Sequence, residues 1–499
     1  MKEYEYYIEK LKEKLNKEDL FIIITVLITG TINYIYLLTH NCLSHDGLFY
    51  GPVYVSGGWE FDLGRPLLII IDKLRGGLVA PSIIFSIGLI CICITLILIR
   101  KIFKIEKRIP LVLSTILLVT FPTIADTSLY IFCFDSYCLA MLLSTLAVYM
   151  IIKKRYIYAI ISITCSLSLY QAYISMTLTL LIIYYINEII KNKINIKEFI
   201  KSVLVVFGGM LVYYISLKMG MIILHRSLAE YKGANELGLT TIINIPKNII
   251  SCYRDFYNYL FKENIIQNMF YKRNIYNGVI IICFILSIIY ILKEKNIKQK
   301  IIIILLLIML PISICIMNLI AKGTNIIILT AIGFYPLYIF MINIIDKYMT
   351  TNIIKNVGIL SAFIICFTFF LADNGEFMAR QDTYNNFFQK TSVALNKVIK
   401  LDNYDEEMKW MFSSVYTYNS PLKKYSLGFV SSQNETFDNF IGLEGIKIFY
   451  KRYFGKDIDL VDYETYKKIS ETEEYKKMKI NSEKIIDNII VIKNSYSVY

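Results

Sequence analysis

The polar stretch after the first apolar run contains the residue types that acid–base chemistry needs. It reads HNCLSHDGLFYGPVYVSGGWEFDLGRPLL over residues 40–68. Asp46 lies between His45 and Gly47, and a carboxylate in this setting can act as a general base that deprotonates an acceptor hydroxyl. An Asp before Gly is also common as a turn or helix-cap residue, so both interpretations of Asp46 stay open from spacing alone.

A second polar cluster follows in the same stretch, formed by Glu60, Asp62 and Arg65. The planar guanidinium of Arg65 suits a lipid phosphate, because arginine binds phosphate through two parallel hydrogen bonds. The alternative is an Asp–Arg pair that only orders the loop. Weaker phosphate candidates are Lys322, Arg226 and Arg380. Two further cations are expected to reach anionic lipid headgroups, namely Lys73 and Arg75.

Ionisable groups at membrane depth are costly and are therefore candidates for function. Asp135 lies within a long apolar run, in the outer half of a predicted membrane span, and Asp126 and Lys218 are also expected near the outer membrane surface. The sequence has three His and no zinc-ligand spacing, no phosphate-binding Gly-rich loop and no dinucleotide fingerprint. We expect neither a cofactor nor a metal. Of ten cysteines, only Cys42 and Cys252 lie outside the predicted spans, and their pairing stays open.

Apolar runs must position these groups. The chain has 499 residues, of which 56% are hydrophobic and 19% charged, whereas about a quarter of the residues in soluble domains are charged. A bilayer core of about 30 Å needs about 20 apolar residues per helix. The sequence predicts eleven spans, at residues 20–38, 79–99, 109–123, 128–152, 156–171, 172–190, 202–222, 276–292, 301–320, 326–345 and 357–372.

Basic residues set the predicted orientation, because cytoplasmic loops carry the excess of Lys and Arg. The loops placed inside carry 18 basic residues, whereas the short loops placed outside carry only Lys322. The N-terminus is therefore expected in the cytoplasm and the C-terminus outside the cytoplasmic (inner) membrane. Residues 373–499 hold 18 basic and 19 acidic groups and are nearly neutral. The net charge of +13 therefore comes from residues 1–372, where it reflects this pattern. Membrane lipids are expected partners and nucleic acid is not.

Three long segments lie on the predicted outer side, at residues 39–78, 223–275 and 373–499. Pro66 is expected to open a short interfacial helix, and the apolar spacing of Ile249, Tyr253 and Phe256 predicts another. The sequence thus predicts an all-α polytopic membrane domain at 1–372. A small α/β domain is expected at 373–499, with a helix over 376–400 and strands at 425–432 and 488–494.

Four stretches, in the same order along the chain, resemble bacterial membrane glucosyltransferases of the type II serotype-converting group, which decorate O-antigen. The first outer segment contributes HDGLFY (45–50) and LGRPLL (63–68). The others are FCFDSYCLAMLLSTLAVYMI (132–151), LSLYQAYISM (167–176) and ADNGEFMARQDTYNNFFQKTSVALNKVI (372–399). The family pattern often shows two adjacent acidic residues at the first stretch, where this chain has Asp46-Gly47. In the family an aromatic residue commonly follows the Arg of the second stretch, whereas in this chain Pro66 follows Gly64-Arg65.

The resemblance implies a GT-C type glycosyltransferase. Such enzymes move a sugar, here glucose, from a polyprenyl-phosphate donor to an envelope glycan outside the cytoplasmic membrane. It implies that Asp46 is the catalytic carboxylate, and that a single displacement inverts the anomeric centre. It also implies that Asp135, Gln171 and Tyr173 line the site; the alternative for these three is interhelical hydrogen bonding that stabilises the bundle.

Two other functions stay open from the sequence. A flippase of lipid-linked glycans would need polar groups along a path through the bilayer and often has internal repeats, which the sequence lacks. A polysaccharide polymerase or ligase would concentrate basic residues in a large outer loop, and the 223–275 segment has seven of them.

Overall fold

The computed structural model describes residues 16–42, 45–193, 195–230, 244–262, 273–320, 327–414, 420–425 and 443–494. Within these ranges, ten helical segments are long and apolar enough to cross a membrane. A shorter apolar helix, Tyr156–Leu169, accounts for the fifth predicted span. Helices are expected there because a lipid environment offers the backbone no hydrogen-bond partners. The chain is an all-α, multi-pass membrane protein with a small sheet near its C-terminus, as the sequence predicts.

The first part of the bundle begins with α1 (Lys17–Thr39), which Asn16 caps by accepting a hydrogen bond from the Asp19 amide. Three short helices follow: α2 (His45–Tyr50), α3 (Gly58–Asp62) and α4 (Pro66–Leu74), the last starting at Pro66 as expected. We call residues 45–80, which contain them, the first loop segment. The next helices are α5 (Pro81–Phe103), α6 (Arg108–Val119), α7 (Pro122–Ser128), α8 (Phe134–Ile152), α9 (Tyr156–Leu169) and α10 (Ile174–Ile190).

The second part contains α11 (Ile196–Ile223), α12 (Ile245–Tyr257), α13 (Arg273–Lys293), α14 (Ile297–Ile314), the short α15 (Met317–Ile320) and α16 (Phe334–Tyr348). The helix predicted from Ile249, Tyr253 and Phe256 is α12. Helix α8 packs against α5 and α9, α11 packs against α9, and α13 packs against α16. The span that ends in α16, Ile328–Tyr348, is the most enclosed of the ten, so it lies at the centre of the bundle.

A continuous helix, α17 (Asn352–Val398), leads from the bundle into the C-terminal region. The expected span at 357–372 and the expected helix at 376–400 are parts of this one helix. Its first half packs on α13 and α16, and it also contacts α1. The 372/373 boundary therefore falls in the interior of a helix, where Asp373 accepts a hydrogen bond from Asn33 of α1 at 2.8 Å.

The C-terminal region adds β1 (Lys409–Phe412), α18 (Leu443–Phe454), α19 (Tyr463–Glu471), α20 (Glu473–Lys477), β2 (Ser482–Ile486) and β3 (Ile489–Lys493). Strand β3 lies between β1, to which it is parallel, and β2, to which it is antiparallel. Asp487 and Asn488 both have positive φ, as a tight two-residue hairpin requires. Strand β3 confirms the strand predicted at 488–494, whereas most of the one predicted at 425–432 lies outside the described residues.

The core of this region joins α17, α18 and the sheet. Its buried side chains include Tyr384 and Phe387 of α17, Trp410 of β1, Phe449 of α18 and Ile490 of β3. The Cys42 and Cys252 thiols are both free. They donate hydrogen bonds to the carbonyls of Phe377 and Cys315, each at 3.3 Å.

Candidate active site

The first loop segment lies at the end of the bundle where α1 ends, and its helix α2 carries Asp46. This carboxylate is half-buried, one helical turn before Tyr50. Burial, together with the negative charges of Asp46 and Glu60, raises the pKa of Tyr50 to about 12. The structure therefore places the Asp46 and Glu60 carboxylates around one tyrosine.

An aromatic group supports α2. The ring centres of Tyr50 and Tyr54 are 4.0 Å apart, and Phe132, just before α8, lies 4.8 Å from Tyr50. The Glu60 carboxylate accepts hydrogen bonds from the Tyr54 hydroxyl and from the Gly57 amide, the latter at 2.7 Å. Glu60 is 9% exposed, so in this structure its carboxylate holds the start of α3 against Tyr54.

Asp135, at the start of α8, forms a buried ion pair with Arg75. Arg75 Nη1 lies 2.9 and 3.1 Å from the two carboxylate oxygens. Arg75 also contacts the Asp72 carboxylate and donates to the Phe132 carbonyl at 2.8 Å. The expectation that Arg75 reaches lipid headgroups is wrong, because its guanidinium is paired with two buried carboxylates. Lys73 on the same helix is exposed.

Arg65 contacts Tyr137 at the start of α8 and Tyr170 just after α9. Its Nη1 donates to the Tyr137 hydroxyl at 2.9 Å, and its guanidinium carbon lies 4.7 Å from the ring centre of Tyr170. The two rings stack on each other with centres 4.3 Å apart. Arg65 Nε is buried and has no hydrogen-bond acceptor among the described residues.

Gln171 fixes the turn that presents Arg65. Its side-chain amide donates to the carbonyls of Leu63 and Gly64 at 2.8 and 3.0 Å, and the Tyr213 hydroxyl donates to the Gly64 carbonyl at 2.8 Å. Gly64 has φ +79°, a conformation that favours glycine. In the structure Gln171 thus acts on the backbone of the first loop segment.

The remaining predicted site residues make other contacts. Asp62 forms a two-point ion pair with Arg226, at 2.6 and 2.7 Å, which joins α3 to the chain after α11. Tyr173 is fully buried in the bundle. Arg380 is fully buried in α17 and donates to Glu376 at 2.8 Å. Lys322 lies outside the described residues.

The structure also brings in residues that the sequence did not single out. Tyr137 and Tyr170 both contact Arg65, and each lies within a stretch that carries the family resemblance. Arg452 of α18 donates to the Gly47 carbonyl at 3.4 Å, and no local signal in the sequence indicates it. Within the described part of the chain, no three His, Cys, Asp or Glu side chains are grouped so that they could hold a metal ion. Metal independence stays a prediction.

Gly64→Ala should destabilise the protein, because an added Cβ would lie 2.6 Å from the Tyr213 hydroxyl and 2.7 Å from the Gln171 amide. Gly76→Ala is the matched control: Gly76 also has positive φ (+65°), but nothing lies within 4 Å of its added Cβ. We expect the apparent Tm in detergent to fall several degrees further for Gly64→Ala than for Gly76→Ala. Equal losses would show that only backbone strain matters.

Arg75→Met should strongly destabilise the fold, because it leaves the Asp72 and Asp135 carboxylates buried without their cation. Removing one partner of a buried pair typically costs about 3–5 kcal/mol. The double variant Arg75→Met/Asp135→Asn should recover part of this loss, which unfolding in detergent would measure. Additive losses would contradict the direct pairing. Arg226→Met, at a far more exposed pair, should have little effect on stability.

The family model described as Glucosyl transferase GtrII matches residues 35–340. This range contains the first loop segment, Asp135, Gln171 and Tyr173. No curated protein and no solved structure matches the chain. The matched range covers more than half of the 499 residues, and it agrees with the resemblance found in the sequence. The chain therefore belongs to the GtrII glucosyl transferase family, and it is a glycosyltransferase.

Proposed function

We propose that this glucosyltransferase takes glucose from a polyprenyl-phosphate donor and transfers it to an envelope glycan at the outer face of the cytoplasmic membrane. The proposal has Asp46 as the general base and a single inverting displacement. The observation that carries it is the position of Asp46, on a short helix directly after the first span and half-buried among Tyr50, Glu60 and the C-terminal helix α18.

The distribution of charge supports this orientation. The segments 100–108, 153–155, 191–201 and 293–300, where helices are connected, carry five, three, four and four Lys or Arg residues. They lie at the end of the bundle opposite the first loop segment, if successive spans alternate in direction. Cytoplasmic loops carry such an excess, so the Asp46 end faces outward. Nucleotide sugars are cytoplasmic metabolites, so the activated sugar at this face would be supplied on a lipid.

The chemistry follows from the groups present. The acceptor hydroxyl oxygen attacks the anomeric carbon and forms the new glycosidic bond, while its proton passes to the Asp46 carboxylate. The bond from the anomeric carbon to the phosphate oxygen breaks, and its electron pair leaves with the polyprenyl phosphate. Positive groups aimed at the developing charge lower the barrier. Arg65 suits this role, because its buried Nε has no acceptor among the described residues.

The other predicted residues have supporting parts in this proposal. Gln171 sets the Gly64 turn and thereby the direction of Arg65, and Asp135 fixes α4 through Arg75. Glu60 and Asp62 shape α3. Trp59 on α3 is 51% exposed, and its indole offers a face on which a sugar ring can stack. We assign acceptor-glycan binding to the C-terminal domain, and we place Tyr173, Lys322 and Arg380 outside the chemical step.

Asp46→Asn should reduce sugar transfer by about 10²–10⁴-fold, the contribution typical of a general base. The assay uses membranes with radiolabelled polyprenyl-phosphate-glucose and crude envelope glycan, and counts label in the glycan. Asp457→Asn is the matched control, because it makes the same change at an exposed Asp paired with Lys451.

Near wild-type transfer by an inserted, folded Asp46→Asn protein would exclude Asp46 as the base. If the wild type itself transfers no glucose, a panel of other polyprenyl-phosphate sugars tests whether only the sugar is wrong. Failure of the whole panel with an intact protein would reject the lipid-linked donor.

A further inference from the structure

One face of α17 packs on α1 and then continues beyond the end of α1. Asn374 on this face donates a hydrogen bond to Asn33 of α1 at 3.2 Å. Gln381 and Phe388 follow Asn374 at intervals of seven residues, so the three side chains leave the helix in nearly the same direction. Helix α1 ends at Thr39. From Gln381 onward, this face of α17 therefore extends past the helix that covers it lower down.

The extension begins at the level of the first loop segment. The Cys42 thiol, shortly after the end of α1, donates to the Phe377 carbonyl at 3.3 Å, and Asp46 follows Cys42 by four residues. At 1.5 Å per residue, Gln381 and Phe388 lie about 6 and 17 Å beyond Phe377 along α17. A chain molecule on this face therefore runs from the level of the proposed base away from the bilayer.

The first part of the extension carries an oriented amide. Gln381 Nε2 donates to Asn385 Oδ1, one helical turn further on, at 2.8 Å. Asn385 is exposed, and its Nδ2 makes no hydrogen bond within the described part of the chain. A side-chain amide offers two N–H donors, and an amide that is already oriented loses less freedom when it binds a ligand. Hydroxyl oxygens are suitable acceptors for these donors.

The second part carries a fixed aromatic ring. Phe388 is 36% exposed. Its ring centre lies 6.2 Å from that of Tyr384, 6.4 Å from that of Tyr453 and 5.5 Å from that of Phe454. These neighbours hold the ring in place. The face of an aromatic ring is electron-rich, and the C–H groups on one side of a pyranose carry partial positive charge. A fixed, partly exposed ring beside an amide therefore suits a sugar.

Helix α18 connects this face to the proposed base, because it contacts Phe388 through Tyr453 and Phe454 and also packs on α2. We call Gln381, Asn385 and Phe388 the amide–aromatic face. The residues that share its direction along α17 include no charged side chain; they are Asn374, Phe377, Met378, Gln381, Tyr384, Asn385 and Phe388. This composition favours a neutral, hydroxyl-rich ligand over a lipid phosphate.

We propose that the amide–aromatic face binds sugar units of the acceptor glycan next to the unit that Asp46 activates. This inference rests on the proposed function and deepens it, because it assigns acceptor recognition to one face of α17. The acceptor glycan would then run along α17 away from the membrane, while its reacting hydroxyl reaches α2. The family match ends at residue 340, so it assigns nothing to these three residues.

The first test measures binding without catalysis. Full-length protein in nanodiscs is passed over immobilised crude envelope glycan with no sugar donor present. Phe388→Leu should weaken binding about fivefold or more, because leucine keeps apolar bulk but has no ring face, and Phe388→Tyr should retain binding. Asn385→Ala should also weaken it. Val393→Ala is the matched control, since Val393 is 52% exposed on another side of α17 and should leave binding unchanged.

The second test separates acceptor binding from a purely structural role. With the polyprenyl-phosphate sugar at saturation, Phe388→Leu and Asn385→Ala should raise the KM for the acceptor glycan about fivefold or more. The kcat and the KM for the donor should not change. A lower apparent Tm with unchanged glycan binding and unchanged acceptor KM would show that these side chains only pack, and would overturn the proposal. A rise confined to the donor KM would overturn it as well.

The inference and the proposed function fail in different ways. If the wild type transfers sugar and both variants keep its acceptor KM, only the role of the amide–aromatic face is wrong. If glycan binding depends on Phe388 and Asn385 but no polyprenyl-phosphate sugar is transferred, the glycan site stands and the proposed reaction is wrong.

Discussion

The buried guanidinium of Arg75 holds the first loop segment on the bundle. It lies between the carboxylates of Asp72, on its own helix, and Asp135, at the start of α8. A charge placed at this depth needs a partner, and removing either member leaves the other without compensation. Helix α4 is therefore fixed over the start of α8. The turn before α4, which presents Arg65 to Tyr137 and Tyr170, depends on that anchor.

A second constraint comes from the length of α17. Its 47 residues correspond to about 70 Å at 1.5 Å per residue, which exceeds the thickness of the bilayer. The first half packs within the bundle, and the second half provides Tyr384, Phe387 and Val398 to the C-terminal core. Because no loop separates these halves, the C-terminal region continues directly from a transmembrane helix. This continuity brings α18 to α2, although the two are about 400 residues apart in the chain.

The sequence predicted what depends on local composition. Long apolar runs must become helices in lipid, so the spans, the helix beginning at Pro66 and strand β3 followed from their own residues. It did not predict interactions whose two partners are distant in sequence. Arg75 looked like a headgroup ligand because its partner Asp135 lies 60 residues away. Gln171 matched a family motif, but its contact with the Leu63 carbonyl spans 108 residues. Strand β1 is only four residues long, too short to show a pattern.

Under the proposed function, the bundle and the C-terminal region recognise different substrates. Asp46, Arg65 and the residues that anchor them lie within the family match, whereas α18 and the sheet lie beyond residue 340. A polyprenyl-phosphate donor has the same chemistry for every acceptor, so its recognition suits the bundle. Acceptor glycans differ in shape, and a separate domain can adapt to them while its core and α17 keep it in place.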